Sequence, residues 1–77
     1  MGSEKEIMAF CENVRYLRKK NGLSKKEMAK KLGIGVKSLE LIESGSLPPW
    51  VSVRVVYMIY ENFGILPKDI FYPIKQT

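Results

Sequence analysis

Ile7, Phe10, Cys11, Val14, Leu17 and Arg18 recur at steps of three and four, the spacing of one face of an α-helix. This predicts a first helix over about residues 6–21. Gly22 follows it and can take the left-handed conformation that ends a helix. Ser24 with Glu27 three residues later is a capping-box pattern, so a second helix begins there. Its inward residues are Met28, Ala29 and Leu32, and Gly33 closes it. A third helix starts at Gly35 or a neighbour, turns Leu39, Ile42 and Glu43 to one face, and ends at Gly45.

The stretch SLPPW cannot continue a helix, because proline lacks the amide donor and restricts the residue before it. Ser52 then suits the cap of a fourth helix, with Val51 packing on Val56 as a hydrophobic staple. Its valines are poor helix formers, and VSVRVVYMIY alternates enough to pass for a strand. The cap, the staple, the 53/56/60/63 spacing and the closing Gly64 together favour helix. That reading turns Val53, Val56, Ile59, Tyr60 and Phe63 inward. LPKDIF reads as one further helical turn with Pro67 at its first position, making five helices. The expectation is one all-α domain with its core over residues 6–71. Residues 72–77 form a tail that stays loose unless a partner orders it.

Composition narrows the function classes. A chain of 77 residues is near the size where one hydrophobic core barely suffices. It has one cysteine, Cys11, and no histidine, so neither an internal disulfide nor a zinc site can be built. The commonest general base is missing too, and no phosphate-binding glycine loop occurs, which argues against an enzyme. A cofactor is not expected. No apolar run reaches the length needed to span a bilayer, and MGSEKEI lacks the apolar centre of a signal peptide. A reducing cytoplasm is the expected compartment.

The net charge of +5 is unevenly spread. Arg15, Arg18, Lys19, Lys20, Lys25, Lys26, Lys30, Lys31 and Lys37 lie between positions 15 and 37, with Glu27 the one acid among them. Such asymmetry fits a polyanionic partner, and it equally fits lysines that only solvate a helical surface.

Spacing within the second and third helices is more specific than charge. Ala29 is small where the third helix crosses close over the second, and Gly33 permits a turn of only a few residues. Ile34, Leu39 and Ile42 pin the third helix to the first two. This is the layout of a DNA-binding helix-turn-helix, whose second member lies in the major groove. The segment VRYLRKKNGLSKKEMAKKLGIGVKSLELIESG and the later FGILPKDIF resemble the lambda-repressor-like, Cro- and XRE-type helix-turn-helix family. The resemblance covers residues 13–71. It implies a compact five-helix domain, no enzyme activity, and binding to operator DNA as a homodimer; some members act as antitoxins. Three departures stand out. Lys25 replaces a customary glutamine, Leu41 stands where a polar residue is common, and SGSLPPWVS is about two residues longer than usual. The fold tolerates all three, whereas the family's DNA preferences do not carry over.

Candidate roles follow. Arg18 and Glu43 sit on inward stripes, and a charge there needs a partner. In the resembling family, charges at these positions pair across the first and third helices. The outward row of the third helix offers Val36, Lys37, Glu40 and Leu41 for reading bases. Lysine can donate to guanine, glutamate can accept from cytosine, and the apolar pair can pack on thymine methyls. Ser24, Lys25 and Lys26 at the start of the second helix, with Ser44 and Ser46, are candidates for phosphate. Lys19, Lys20, Lys30 and Lys31 lie near helix C-termini, where cations are favourable without any ligand, so only one or two of the four are credited with phosphate contact. Trp50, Tyr57, Met58, Tyr72 and Ile74 are large apolar groups beyond the core stripes. They either pack around the long loop or form a homodimer surface. Two functions remain open at this point. One is a regulator gripping double-stranded DNA as a homodimer. The other is an antitoxin or protein-binding module, for which the weakly charged, partly apolar third helix speaks.

Overall fold

The computed structural model describes residues 4–47 and 52–74, the side chain of Ser52 excepted. Its helices are α1 (Glu4–Lys20), α2 (Lys25–Leu32), α3 (Val36–Glu43) and α4 (Ser52–Phe63). No strand occurs among the described residues. The expected caps account for the second helix in detail. The Glu27 amide donates to Ser24 Oγ at 3.0 Å, and the Ser24 amide donates to Glu27 Oε1 at 2.8 Å. Two orphan amides at the helix start are thereby satisfied. At the other end Gly33 has φ +72°, and the Ile34 amide reaches back to the Ala29 carbonyl at 3.0 Å. A side chain at position 33 would be strained by that angle. Its Cβ would also come within 3.1 Å of Arg54 Nε.

The core is one cluster in which Phe10, Val14, Met28, Leu32, Leu39, Ile42, Val55, Ile59 and Ile70 are wholly buried. Each such aliphatic side chain contributes about 1.5–3 kcal/mol by leaving water. The second helix packs on the third and on the fourth, and the first packs on the third. Ala29, 2% exposed, leaves room for these close crossings. Asn62 Nδ2 donates to the Lys31 carbonyl at 2.9 Å, tying α4 to the end of α2.

Three expectations need correction, two in the helices and one in the tail. The chain forms four helices among its described residues and not five. Residues 67–71 are a turn, held by the Asp69 amide on the Leu66 carbonyl at 2.9 Å and the Tyr72 amide on the Asp69 carbonyl at 3.2 Å. Pro67 has no amide to give, and i→i+3 bonds close the turn without propagating it. In α4 the inward residues are Val55 and Ile59, with Val56, Met58 and Phe63 partly buried against the core. Val53 and Tyr60, expected inward, are 82% and 44% exposed. The cause is that the apolar arc of α4 runs from Val55 round to Tyr57, more than half of the circumference, and only the part near Val55 and Ile59 meets the core. The Val51 staple, the Ser52 side-chain cap and Trp50 lie outside the described residues.

Residues 72–74, expected to belong to a loose tail, are anchored to α1. Asn13, 3% exposed, donates from Nδ2 to the carbonyls of Ile70 at 2.6 Å and Tyr72 at 2.8 Å. Its Oδ1 accepts from the Ile74 amide at 3.2 Å. One side chain thus satisfies three backbone groups of the last described segment. Phe71 adds a stacked contact on Phe10, with ring centroids 5.3 Å apart.

Candidate nucleic-acid interface

The turn between α2 and α3 fixes which side of α3 faces water. Leu39 and Ile42 are fully buried, so Val36, Lys37, Glu40, Leu41 and Ser44 form a continuous exposed row. Val36 is 38% and Leu41 48% exposed, both high for aliphatic side chains. The helix is eight residues long, about 12 Å, enough to present this row to one stretch of major groove.

Arg18 on α1 holds α3 in place from behind. Its Nε donates to Glu43 Oε2 at 2.7 Å and its Nη2 donates to Glu43 Oε1 at 3.0 Å. The two side chains are 15% and 8% exposed. Nη1 adds a 3.3 Å bond to the carbonyl of Leu23, just before the α2 cap. The Glu43 carboxylate raises the Arg18 pKa above its already high ordinary value, so the charge is permanent. One guanidinium therefore joins α1, the start of α2 and the end of α3.

In front of that pair lies a depression of about 270 Å³ lined also by Arg15, Lys19, Lys25, Glu40 and Ser44. Lys25 Nζ stands 3.7 Å from Glu40 Oε2, and both side chains are about half exposed, at 48% and 52%. A phosphate candidate and a base-reading candidate are thus ion-paired across the α2–α3 corner. An exposed pair of this kind contributes little to stability, about 0–1 kcal/mol, and can be exchanged for a ligand at small cost. With Glu43 engaged by Arg18, Arg15 and Lys19 leave an excess of positive charge beside the start of α2.

The other named residues distribute as follows. Ser24 Oγ accepts from the Glu27 amide but keeps its own proton for donation. Lys26 and Lys37 are exposed. Ser44 Oγ donates to the Leu41 carbonyl at 2.7 Å, and the Ser46 amide donates to the same carbonyl at 2.9 Å. Both serines therefore help close the C-terminal end of α3. Tyr57 and Tyr72 are 58% and 60% exposed, while Met58 and Ile74 pack partly against the core. The four of these apolar candidates that are described do not share one surface. Tyr57 lies in a groove along α4, and Tyr72 lines a depression beside α1 with Met8 and Ala9.

Composition places Arg15 only within the basic segment, and helix position leaves Lys19 as one of four lysines with no distinction among them. The spacing of Arg15 and Lys19 with Arg18, at i, i+3 and i+4, places three cations on one side of α1, and that signal was available. Cys11 is buried, and burial raises its thiol pKa, so it stays protonated and unreactive.

Residues 11–72 match a known family described as a helix-turn-helix domain. The chain belongs to that family. Consistent with the Cro- and XRE-type resemblance, a protein of Methanocaldococcus jannaschii is 33% identical over 58 residues, covering 75% of this chain and 85% of the relative. That protein is named as an uncharacterized helix-turn-helix-type transcriptional regulator. No solved structure matches the chain significantly. No helix among the described residues is long and apolar enough to cross a membrane.

Proposed function

We propose that this helix-turn-helix protein is a transcriptional regulator that docks α3 in the major groove of operator DNA, acts as a homodimer, and works in the cytoplasm without enzymatic activity. The observation that carries the reading is the exposed row of Val36, Lys37, Glu40 and Leu41 standing directly beside the cationic corner of Arg15, Lys19 and Lys25. Base edges are read by the first group and phosphates are held by the second. The start of α2 adds the positive end of a helix and the free Ser24 proton to the phosphate side. The name of the archaeal relative supports a regulatory role.

The two-copy part of the proposal rests on size. The described chain is 29 Å in its longest dimension and carries one eight-residue reading helix. Successive major-groove faces are about 34 Å apart, so two copies are needed to read two half-sites. Selection from random duplex DNA at moderate salt tests the reading, and an inverted repeat is the expected product. If two to four phosphates are neutralised per monomer, the log–log salt slope is about −2 to −4 per monomer. No enriched motif, or a flat salt response, would put the antitoxin or protein-binding reading first. The apolar Val36 and Leu41 would then face a protein partner.

A further inference from the structure

The fourth helix is apolar on two sides. Val55 and Ile59 fill the core, while Val53, Val56, Tyr57 and Tyr60 form a second stripe at i, i+3, i+4 and i+7. Val53 is 82%, Tyr57 58% and Tyr60 44% exposed. With Pro67 and Phe71 they line an open groove of about 430 Å³. A stripe of this length with two tyrosines is a surface built to be covered.

The flanking charges indicate by what. Arg54 and Glu61 lie on the same flank of the stripe, seven residues or about two helical turns apart. Neither has an ion-pair partner among the described residues. When two copies of one helix pack antiparallel about a two-fold axis, each residue faces the residue an equal distance beyond the axis. Residues from one flank then meet on one side. Arg54 opposite the partner's Glu61 sets the axis at position 57.5, midway between 54 and 61. Val53 opposite the partner's Tyr60 sets it at 56.5, and Tyr57 opposite its own counterpart sets it at 57. The three centres agree within one residue, about 1.5 Å of helix rise. A parallel pairing about a two-fold would instead carry this flank to opposite sides of the seam, where Arg54 and Glu61 could not meet, and an unrelated partner gives no reason for opposite charges equally spaced about the middle of the stripe.

We propose that two copies of the chain pair antiparallel along α4, burying the Val53, Tyr57 and Tyr60 stripe and closing two reciprocal Arg54–Glu61 ion pairs. The proposal rests on the two-copy reading above and names its interface. Of the candidates Trp50, Tyr57, Met58, Tyr72 and Ile74 it keeps Tyr57 alone.

Sedimentation velocity of the full chain over a concentration series, without DNA, tests it. The parent is expected to sediment as a concentration-dependent dimer. Glu61→Arg and Arg54→Glu should each weaken dimerisation by about tenfold or more, because like charges then face each other twice. Mixing the two variants should restore the dimer in trans, since every facing pair becomes opposite in sign. Thermal melts check that each variant is folded. Should Arg54→Glu not fold, given its closeness to the Gly33 turn, Glu61→Arg and Tyr57→Glu must each yield a folded monomer. A parent that stays monomeric, single variants that dimerise like the parent, or a mixture that is not rescued would overturn the proposal. A dimer insensitive to these changes would leave the two-copy reading intact and move the interface elsewhere. A monomeric parent that still selects a DNA half-site would leave the DNA reading intact and remove both dimer statements.

Discussion

Removing the amide of Asn13 tests whether one buried side chain anchors the end of the chain. Asn13→Ala deletes the bonds to the Ile70 and Tyr72 carbonyls and to the Ile74 amide. Three ordinary hydrogen bonds contribute about 0.5–1.5 kcal/mol each, which gives roughly 2–4 kcal/mol. The upper half of that range is expected, because Ile70 is wholly buried and its carbonyl loses a donor away from water. A chain of this length has about 4–12 kcal/mol of stability in all. The substitution therefore removes a large fraction of it. Urea unfolding followed by circular dichroism should show a lower midpoint. Hydrogen exchange at the Ile74 amide should accelerate more than exchange in α2. Asn13→Asp sharpens the test, because a carboxylate keeps the shape and the acceptor but cannot donate to the two carbonyls. It should cost at least as much as alanine at neutral pH. A loss below about 0.5 kcal/mol, or unchanged exchange at Ile74, would refute the anchoring role.

Glu43→Ala strands the Arg18 guanidinium behind α3 and should cost about 3–5 kcal/mol, whereas a melting temperature within a few degrees of the parent would show the pair to be dispensable. Glu27 has its pKa lowered, first by the backbone hydrogen bond from Ser24 and then by the Ser24 side chain. Its folded value lies below its unfolded value. The stabilisation is thus complete above the ordinary glutamate range and is lost as pH falls through the folded value. The parent should lose more stability on acidification than Glu27→Gln, and parallel pH curves would contradict this. In DNA titrations Lys25→Ala should weaken all sequences alike and reduce the salt slope by about one unit per monomer. Lys37→Ala should cost about 1–3 kcal/mol on the selected site and relax one base pair per half-site. Equal loss on every sequence would take base reading away from Lys37.

The legible parts of the fold were those where several local signals converge. Around α2, the Ser24–Glu27 box, the 28/29/32 stripe and Gly33 each require the same boundaries, and the helix has those boundaries. The all-α class follows from the same agreement repeated along the chain. Where one signal stands alone, it misleads. Apolar residues at 53, 56, 59, 60 and 63 suggest an inward face, but Val55 is equally apolar and joins Ile59 in the core where Val53 and Tyr60 do not. Only packing against α2 and the 67–71 turn selects between them, and that selection is tertiary. Asn13 was invisible for a related reason. It lies between Glu12 and Val14 in an ordinary amphipathic helix, and nothing local announces that three backbone groups some sixty residues away converge on it.

The candidate interface divides along the same line. A helix-turn-helix needs its third helix pinned and its outward row free, and both demands leave marks at helical spacing. The outward row could therefore be read directly. What spacing cannot express is which charges neutralise which. Lys25 and Glu40 lie on different helices, fifteen positions apart, yet stand 3.7 Å from each other. Until DNA arrives, each screens the other, so the corner offers less free charge than its lysines suggest. A phosphate at the start of α2 would draw Lys25 away and release the Glu40 carboxylate toward the groove. There it meets either a cytosine amino group, which satisfies it, or an acceptor, which repels it. An anionic carboxylate placed beside a polyanion is costly wherever no donor awaits it. If α3 reads bases as proposed, Glu40 would make gripping conditional on reading, which a face of lysines alone could not do.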